Sequence, residues 1–209
     1  EERWMAEGIE MADSIVFNPH KWLLTNFDCS AHYVKRPESL IRTLSILPEY
    51  LKSREQDQVI DYRDWSVPLG RRFRALKLWF VIRSYGVKGL QQIIRNHIKL
   101  AEYAATWIDE DPEFELVSPR SLSLLNFRFR PKNSRKSADI DLLNEDLLNR
   151  LNDSGRVYFT QNRVRGKFTI RWSIGQTNTQ LKHVENAWSL IKRISSSLNQ
   201  IDSARINSD

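Results

Sequence analysis

The stretch that most constrains this chain is Ser14-Ile15-Val16-Phe17-Asn18-Pro19-His20-Lys21-Trp22. Its apolar run, Ile15 to Phe17, reads as a buried strand. The strand has to stop at Asn18-Pro19, because proline lacks the N–H a ladder needs and biases the residue before it toward extended backbone. A lysine directly after that stop is held at the exit of a core strand, near a pocket. Partial desolvation there lowers the pKa of an ammonium and makes the neutral amine available as a nucleophile toward a carbonyl. From this segment alone, a surface lysine snorkelling past a loop stays open as the other reading.

Helix and strand signals alternate along the rest of the chain. Residues 1–12 read as the end of a helix leading into a strand over Asp13–Phe17. The alternating segment Cys29 to Val34 reads as a second strand, Ser30–Val34, with Cys29 a small buried hydrophobe beside it. Pro37 opens a short helical turn, and Pro48 ends the regular structure. Residues 49–68 are polar with little periodicity, which in a compact protein points to a functional or disordered segment; a mobile active-site loop is expected. From Arg72, Leu76, Trp79, Phe80 and Arg83 recur at helical spacing. After Gly86 a longer helix presents Leu90, Ile93, Ile94, Ile98, Leu100, Ala101, Ala104 and Ile108, which makes Gly86 the expected domain boundary.

Beyond that boundary, strands are expected at Phe114–Val117 and Leu124–Phe129. A helix follows over Asp139–Asn152, with Leu142, Leu143, Leu147, Leu148 and Leu151 inward and Gly155 at its C-terminal cap. A hairpin of Arg156–Thr160 and Lys167–Ile174 around Asn162–Gly166 comes next, then a helix from Thr179 to Ser197 and a frayed polar tail over 199–209. The pattern is an α/β layer, antiparallel strands covered on one face by helices.

Composition removes several classes of function. Hydrophobic residues are 41% and charged residues 28% of the 209, enough for a core, and no apolar run approaches the roughly 18–20 residues of a membrane span. The single cysteine, Cys29, rules out an internal disulfide and fits a reducing, cytoplasmic compartment. No clustering of His and Cys suggests a metal site. The formal charge of +6 is spread over Arg71/Arg72/Arg74, Arg128/Arg130, Lys132/Arg135/Lys136 and Arg163/Arg165/Lys167, with acids between them. A nucleic-acid stripe would be concentrated and interleaved with aromatics, so nucleic acid is not an expected partner.

Asn-Pro-His-Lys-Trp at 18–22 is followed, in order, by Asn26-Phe27-Asp28-Cys29-Ser30, Leu47-Pro48-Glu49-Tyr50-Leu51, Asp61-Tyr62-Arg63-Asp64-Trp65, Leu69-Gly70-Arg71-Arg72-Phe73-Arg74 and Leu76-Lys77-Leu78-Trp79-Phe80. This series resembles the pyridoxal-phosphate-dependent group II decarboxylases, the aromatic amino acid decarboxylase family, from the first residues to about Leu190. The resemblance implies fold type I, aspartate aminotransferase-like. Residues 1–85 would be the end of the large cofactor-binding domain, with its catalytic loop at about 49–68, and 86–198 the small α+β domain.

On the same resemblance, Lys21 stands where the family's Schiff-base lysine binds pyridoxal 5′-phosphate, and Asn18 and His20 stand where the cofactor phosphate is contacted. Tyr50 stands where the loop tyrosine protonates the carbanionic intermediate. Gly70 and Phe27 border the aromatic substrate pocket, glycine leaving room because it has no Cβ. The implied reaction is decarboxylation of an aromatic L-amino acid, of the tryptophan, DOPA or tyrosine kind, to the amine and carbon dioxide. The family's ring-stacking histidine and ring-pairing aspartate are expected upstream of Glu1, so this polypeptide is expected to need the N-terminal half, and a homodimer partner, for activity. An aromatic aldehyde synthase and a non-catalytic fragment or interaction module are the alternatives.

Overall fold

The computed structural model describes residues 2–46, 59–131 and 137–206; for 137, 138 and 200–206 it describes the backbone alone. The chain divides into two compact units, residues 1–90 and 91–209.

In the first unit, β1 (Ser14–Phe17) and β2 (Ala31–Val34) form an antiparallel pair, with Ser14 opposite Val34 and Phe17 opposite Ala31. Phe17 and Tyr33 stack across it, ring centroids 6.1 Å apart. Helix α1 (Pro37–Leu44) starts with proline in its first turn, where no intrahelical N–H is lost, and carries Glu38 near its N-terminus and Arg42 near its C-terminus, complementing the helix dipole. Three expectations change here. Residues 1–12 hold two short 3₁₀ turns, Arg3–Ala6 and Ile9–Met11, because Gly8 between them adopts φ 81°, which interrupts a continuous helix. Cys29 is buried but precedes its strand. The strand expected to be buried is largely open: Val16 is 58% exposed. A two-stranded sheet covers little, and Pro19, Thr25, Cys29 and Leu90 are the buried residues among those described in this unit.

Of the expected loop, residues 49–58, Tyr50 included, lie outside the described residues. The remainder is more ordered than its charge pattern suggests. Tyr62–Trp65 form a 3₁₀ turn in which Arg63 pairs with Asp61 at 2.8 Å, and the Ser45 hydroxyl at the end of α1 donates to Asp64 at 3.2 Å.

Helix α2 (Arg74–Glu110) begins in the first unit and ends in the second, and its helical backbone is broken at Gly86, with φ 68° and ψ 164°. That combination is a region essentially restricted to glycine.

The second unit is a four-stranded antiparallel sheet in the order β3 (Phe114–Leu116), β4 (Leu124–Phe129), β6 (Lys167–Ser173), β5 (Thr160–Val164). Alternate residues of the two central strands, Leu125, Phe127, Phe129, Phe168, Ile170 and Trp172, are buried against α2, α3 (Ser137–Asp153) and α4 (Leu181–Ile206). The helices supply Leu100, Ala101, Ala104 and Ile108, then Leu147, Leu148 and Leu151, then Val184, Trp188 and Ile191. Leu142, expected inward, is 65% exposed, because the inward stripe of α3 follows 147, 148 and 151. The buried Asn144 takes a position on the same helix: its carbonyl accepts from Phe129 N at 2.7 Å and its amide donates to Phe129 O and Ile140 O, both at 2.8 Å.

The hairpin is also displaced from its expected register. Its first strand is the polar Thr160–Val164, and the turn is just Arg165-Gly166, both with positive φ, 51° and 79°. Two-residue hairpins favour this geometry because it matches the strand twist. The segment expected as strand before it is tied to α3 instead, where the Asn152 side chain exchanges hydrogen bonds with the backbone of Phe159 at 2.8 and 3.0 Å. The last helix continues past the expected end to Ile206.

Four basic residues around β4 to β6 are ion-paired. Arg128, 2% exposed, pairs with Asp141 at 3.0 Å and Glu115 at 3.7 Å; Arg163 joins Asp141 at 3.1 Å, and Lys167 and Arg130 join Glu115 at 3.5 and 3.4 Å. Among the described residues no helix is long and apolar enough to cross a membrane.

Candidate active site

The turn after β1 is built by backbone hydrogen bonds. Lys21 N donates to Asn18 O at 2.9 Å, Thr25 N to Pro19 O at 3.1 Å, and His20 N to Cys29 O at 3.2 Å. Pro19 is buried beneath it, and Leu24 closes it with a left-handed φ of 57°, a conformation costly for a branched side chain.

The imidazole of His20 is held by one residue. Its Nδ1 lies 2.6 Å from Cys29 O and 2.9 Å from Cys29 N. Protonated, it donates to the carbonyl; unprotonated, it accepts from the amide. Either tautomer commits Nδ1 to Cys29, and Nε2 has no hydrogen bond among the described residues. Phe27 meets the ring edge-on, with centroids 4.9 Å apart.

Between Phe27 and Cys29 sits Asp28, the charge centre of the site. Arg74, the first residue of α2, donates through Nε at 3.0 Å and approaches through a terminal nitrogen at 2.9 Å, both to Asp28 Oδ2. Arg72 and Lys77 approach Oδ1 at 3.6 and 3.9 Å. The hydrogen bonds from Arg74 hold the Asp28 carboxyl below the usual carboxylate range. Cys29 Sγ also points to Arg74 O, at 3.9 Å.

A cavity of about 560 Å³ opens beside this cluster, lined among others by His20, Phe27, Asp28, Gly70, Arg71 and Arg74. Three residues singled out from the sequence, His20, Phe27 and Gly70, therefore meet. Asn18 and Lys21 are on the adjoining turn without lining the cavity. The desolvated setting expected for Lys21 is not what the described residues provide: among them its side chain is exposed. Phe27 is likewise 82% exposed. A Cβ on Gly70 would meet nothing within 4 Å, so no described residue contests the space that glycine was expected to leave. Tyr50 lies outside the described residues. A second cavity, about 620 Å³, lies in the second unit between the Tyr158–Phe159 segment, Trp172 and α4; none of the expected site residues lines it.

Asp28 and the Cys29 backbone clasp escaped the sequence reading. Both belong to the motif segment Asn26–Ser30, but their role depends on a partner 46 residues away in Arg74 and on the turn bringing His20 back against Cys29.

The cavity wall thus combines Arg71, Arg72 and Arg74 with Asp28 and the His20 imidazole, and Lys21 stands on the adjoining turn. The model of the family described as pyridoxal-dependent decarboxylase conserved domain matches residues 1–130. A tryptophan decarboxylase of Camptotheca acuminata is 46% identical over 194 residues, covering 92% of this chain and 39% of that protein. A phenylacetaldehyde synthase of Arabidopsis thaliana is 45% identical, covering 95% of this chain and 41% of that protein. The crystal structure of Oryza sativa TDC with PLP and tryptamine superposes with a TM-score of 0.88 at 39% identity, covering 92% of this chain and 40% of that one.

This chain belongs to the pyridoxal-dependent decarboxylase family, with the α/β, fold-type I architecture expected from its sequence. It spans about two fifths of the length of these relatives.

Proposed function

We propose that this chain is the lysine-bearing part of an enzyme that decarboxylates an aromatic L-amino acid to its amine and carbon dioxide. The observation that carries the reading is the clasp of His20, the residue before Lys21, by Cys29, which leaves Nε2 open at a cavity walled by Phe27, Arg71 and Arg74. These donors fit a phosphorylated aldehyde: an imidazole N–H and the Asn18 amide suit the phosphate, and the Lys21 amine suits the carbonyl carbon. Bound pyridoxal phosphate supplies an electron sink for the bond that breaks. The chain's own residues orient and exclude. Phe27 and Gly70 border the space for the aromatic side chain, and Tyr50 delivers a proton to the substrate α-carbon.

The first unit is read as the end of the cofactor-binding domain and the second as the small domain. Large exposed apolar side chains are concentrated in the first unit, among them Phe17, Tyr33, Phe73, Trp79 and Phe80, while the second exposes Tyr103, Leu142, Tyr158 and Leu181. Such a surface needs a cover. We assign that cover to the part of the relatives' length this chain does not span, and to a second copy in a homodimer. Lys21 acquires its dry surroundings on that assembly.

The near-equal identity to an aldehyde synthase supports a second reading, oxidative deamination. Product analysis on the assembled enzyme separates the two. Amine and carbon dioxide in equal amounts support the first; aldehyde with ammonia and peroxide supports the second. Tyr50→Phe is expected to move the product from amine toward aldehyde, and unchanged amine formation would remove Tyr50 from its role.

A further inference from the structure

We propose that Asp28 is a positioning residue: clamped by Arg74 at the start of α2, it fixes the Phe27–Cys29 segment that in turn fixes the His20 ring toward the cofactor phosphate. The inference deepens the functional reading above and rests on it. Asp28 itself lines the cavity but has the wrong charge to bind a phosphate or a substrate carboxylate. Its neighbours in sequence are the two residues that touch His20: Phe27 packs edge-on at 4.9 Å, and Cys29 holds Nδ1 through its backbone at 2.6 and 2.9 Å. Two Arg74 nitrogens converge on one Asp28 oxygen at 2.9 and 3.0 Å, a contact that fixes direction as well as charge. The Cys29 thiol at 3.9 Å from Arg74 O adds a second tie between the same two elements. Movement at Asp28 therefore passes directly into the ring whose Nε2 must face the ligand. The carboxyl of Asp28, held below its usual range by Arg74, stays ionised throughout the neutral region.

The test compares Asp28→Asn with wild type in the complete polypeptide. In the cofactor-free protein, ¹⁵N NMR of His20 reads the mobility of the ring directly. Wild type should show the sharp signals of a ring held in one orientation, and Asp28→Asn the broadening of a mobile ring. Pyridoxal phosphate affinity, read by cofactor absorbance, should fall about tenfold, the scale on which outer partners of a binding residue act. Asp28→Glu should recover most of the affinity, and Arg74→Lys, which keeps charge but loses the fork, should fall between. Arg36→Ala, at an exposed pair with Asp13, should change neither readout.

If Asp28→Asn is too unstable to purify, Arg74→Lys with the same two readouts decides. Unchanged His20 signals and unchanged affinity would overturn the inference. So would an affinity loss equal in Asp28→Asn and Asp28→Glu and tracking thermal stability alone. A wild type that shows the ordered His20 yet binds no pyridoxal phosphate would refute the functional reading while leaving the positioning of His20 standing.

Discussion

Replacing Asn144 with alanine should cost the second unit about 3 kcal/mol. The number follows from what the amide does. It stands beside Phe129, whose N–H and C=O are buried and are satisfied by Asn144 at 2.7 and 2.8 Å. Alanine leaves both groups in a site where neither Phe129 nor Asn144 has any exposed surface. An orphaned buried group costs about 1–3 kcal/mol, so two give about 2–6. The bond to Ile140 O is cheaper to lose, because that carbonyl lies within α3 and has a helical N–H within reach. The low half of the range, about 3 kcal/mol, allows for local relaxation, and it corresponds to a fall of roughly 10 °C in midpoint for a unit of this size.

Urea unfolding followed by near-ultraviolet circular dichroism measures it, with an unchanged m-value required for the comparison. Asn144→Asp is the isosteric control. Ionised, it can still accept from Phe129 N–H but faces two carbonyl oxygens without a donor, so its pKa in the folded state should rise. A raised folded pKa places the stability contribution below the unfolded value near 3.9 and removes it as pH climbs through the folded value. Asn144→Asp should therefore gain on wild type as pH is lowered from 7. A loss under about 1 kcal/mol for alanine, with no pH dependence for aspartate, would refute the claim that this amide is desolvated and fully used.

Two further outcomes follow from other positions. His97 is fully buried, and burial lowers its pKa below 6.5, partly opposed by its bond to Gln176 O at 3.1 Å. The unfolded chain then binds the extra proton first, so stability should fall as pH drops below about 6.5, and His97→Gln should flatten that part of a midpoint-against-pH curve; an unaltered slope would contradict the assignment. Gly86→Ala places a Cβ on backbone with φ 68° where nothing lies within 4 Å, so its cost is conformational alone, about 1–3 kcal/mol by chemical denaturation; no loss would show that the break in α2 is easily remodelled.

What could be read in advance follows the range of the forces. Periodicity located the apolar faces of α2 and α3, because Leu100, Ala104 and Ile108, or Leu147, Leu148 and Leu151, meet one core whatever else the chain does. The turn at Asn18-Pro19 was legible because proline acts locally. The hairpin slipped because Thr160-Gln161-Asn162-Arg163, an exposed edge strand, carries no alternation to mark it. Asn144, His97 and Asp28 were invisible for another reason: each acts on a partner between 15 and 79 residues away. The burial expected at β1 and Lys21 is not met within the described residues of the first unit, which bury few of their own side chains.

The central claim concerns one amine. The complete enzyme, incubated with pyridoxal phosphate, reduced with borohydride and digested, should carry a phosphopyridoxyl group on the peptide containing Lys21, and Lys21→Ala should lose both that label and the cofactor's visible absorption. A label on another lysine, or colour and turnover that survive Lys21→Ala, would contradict the account.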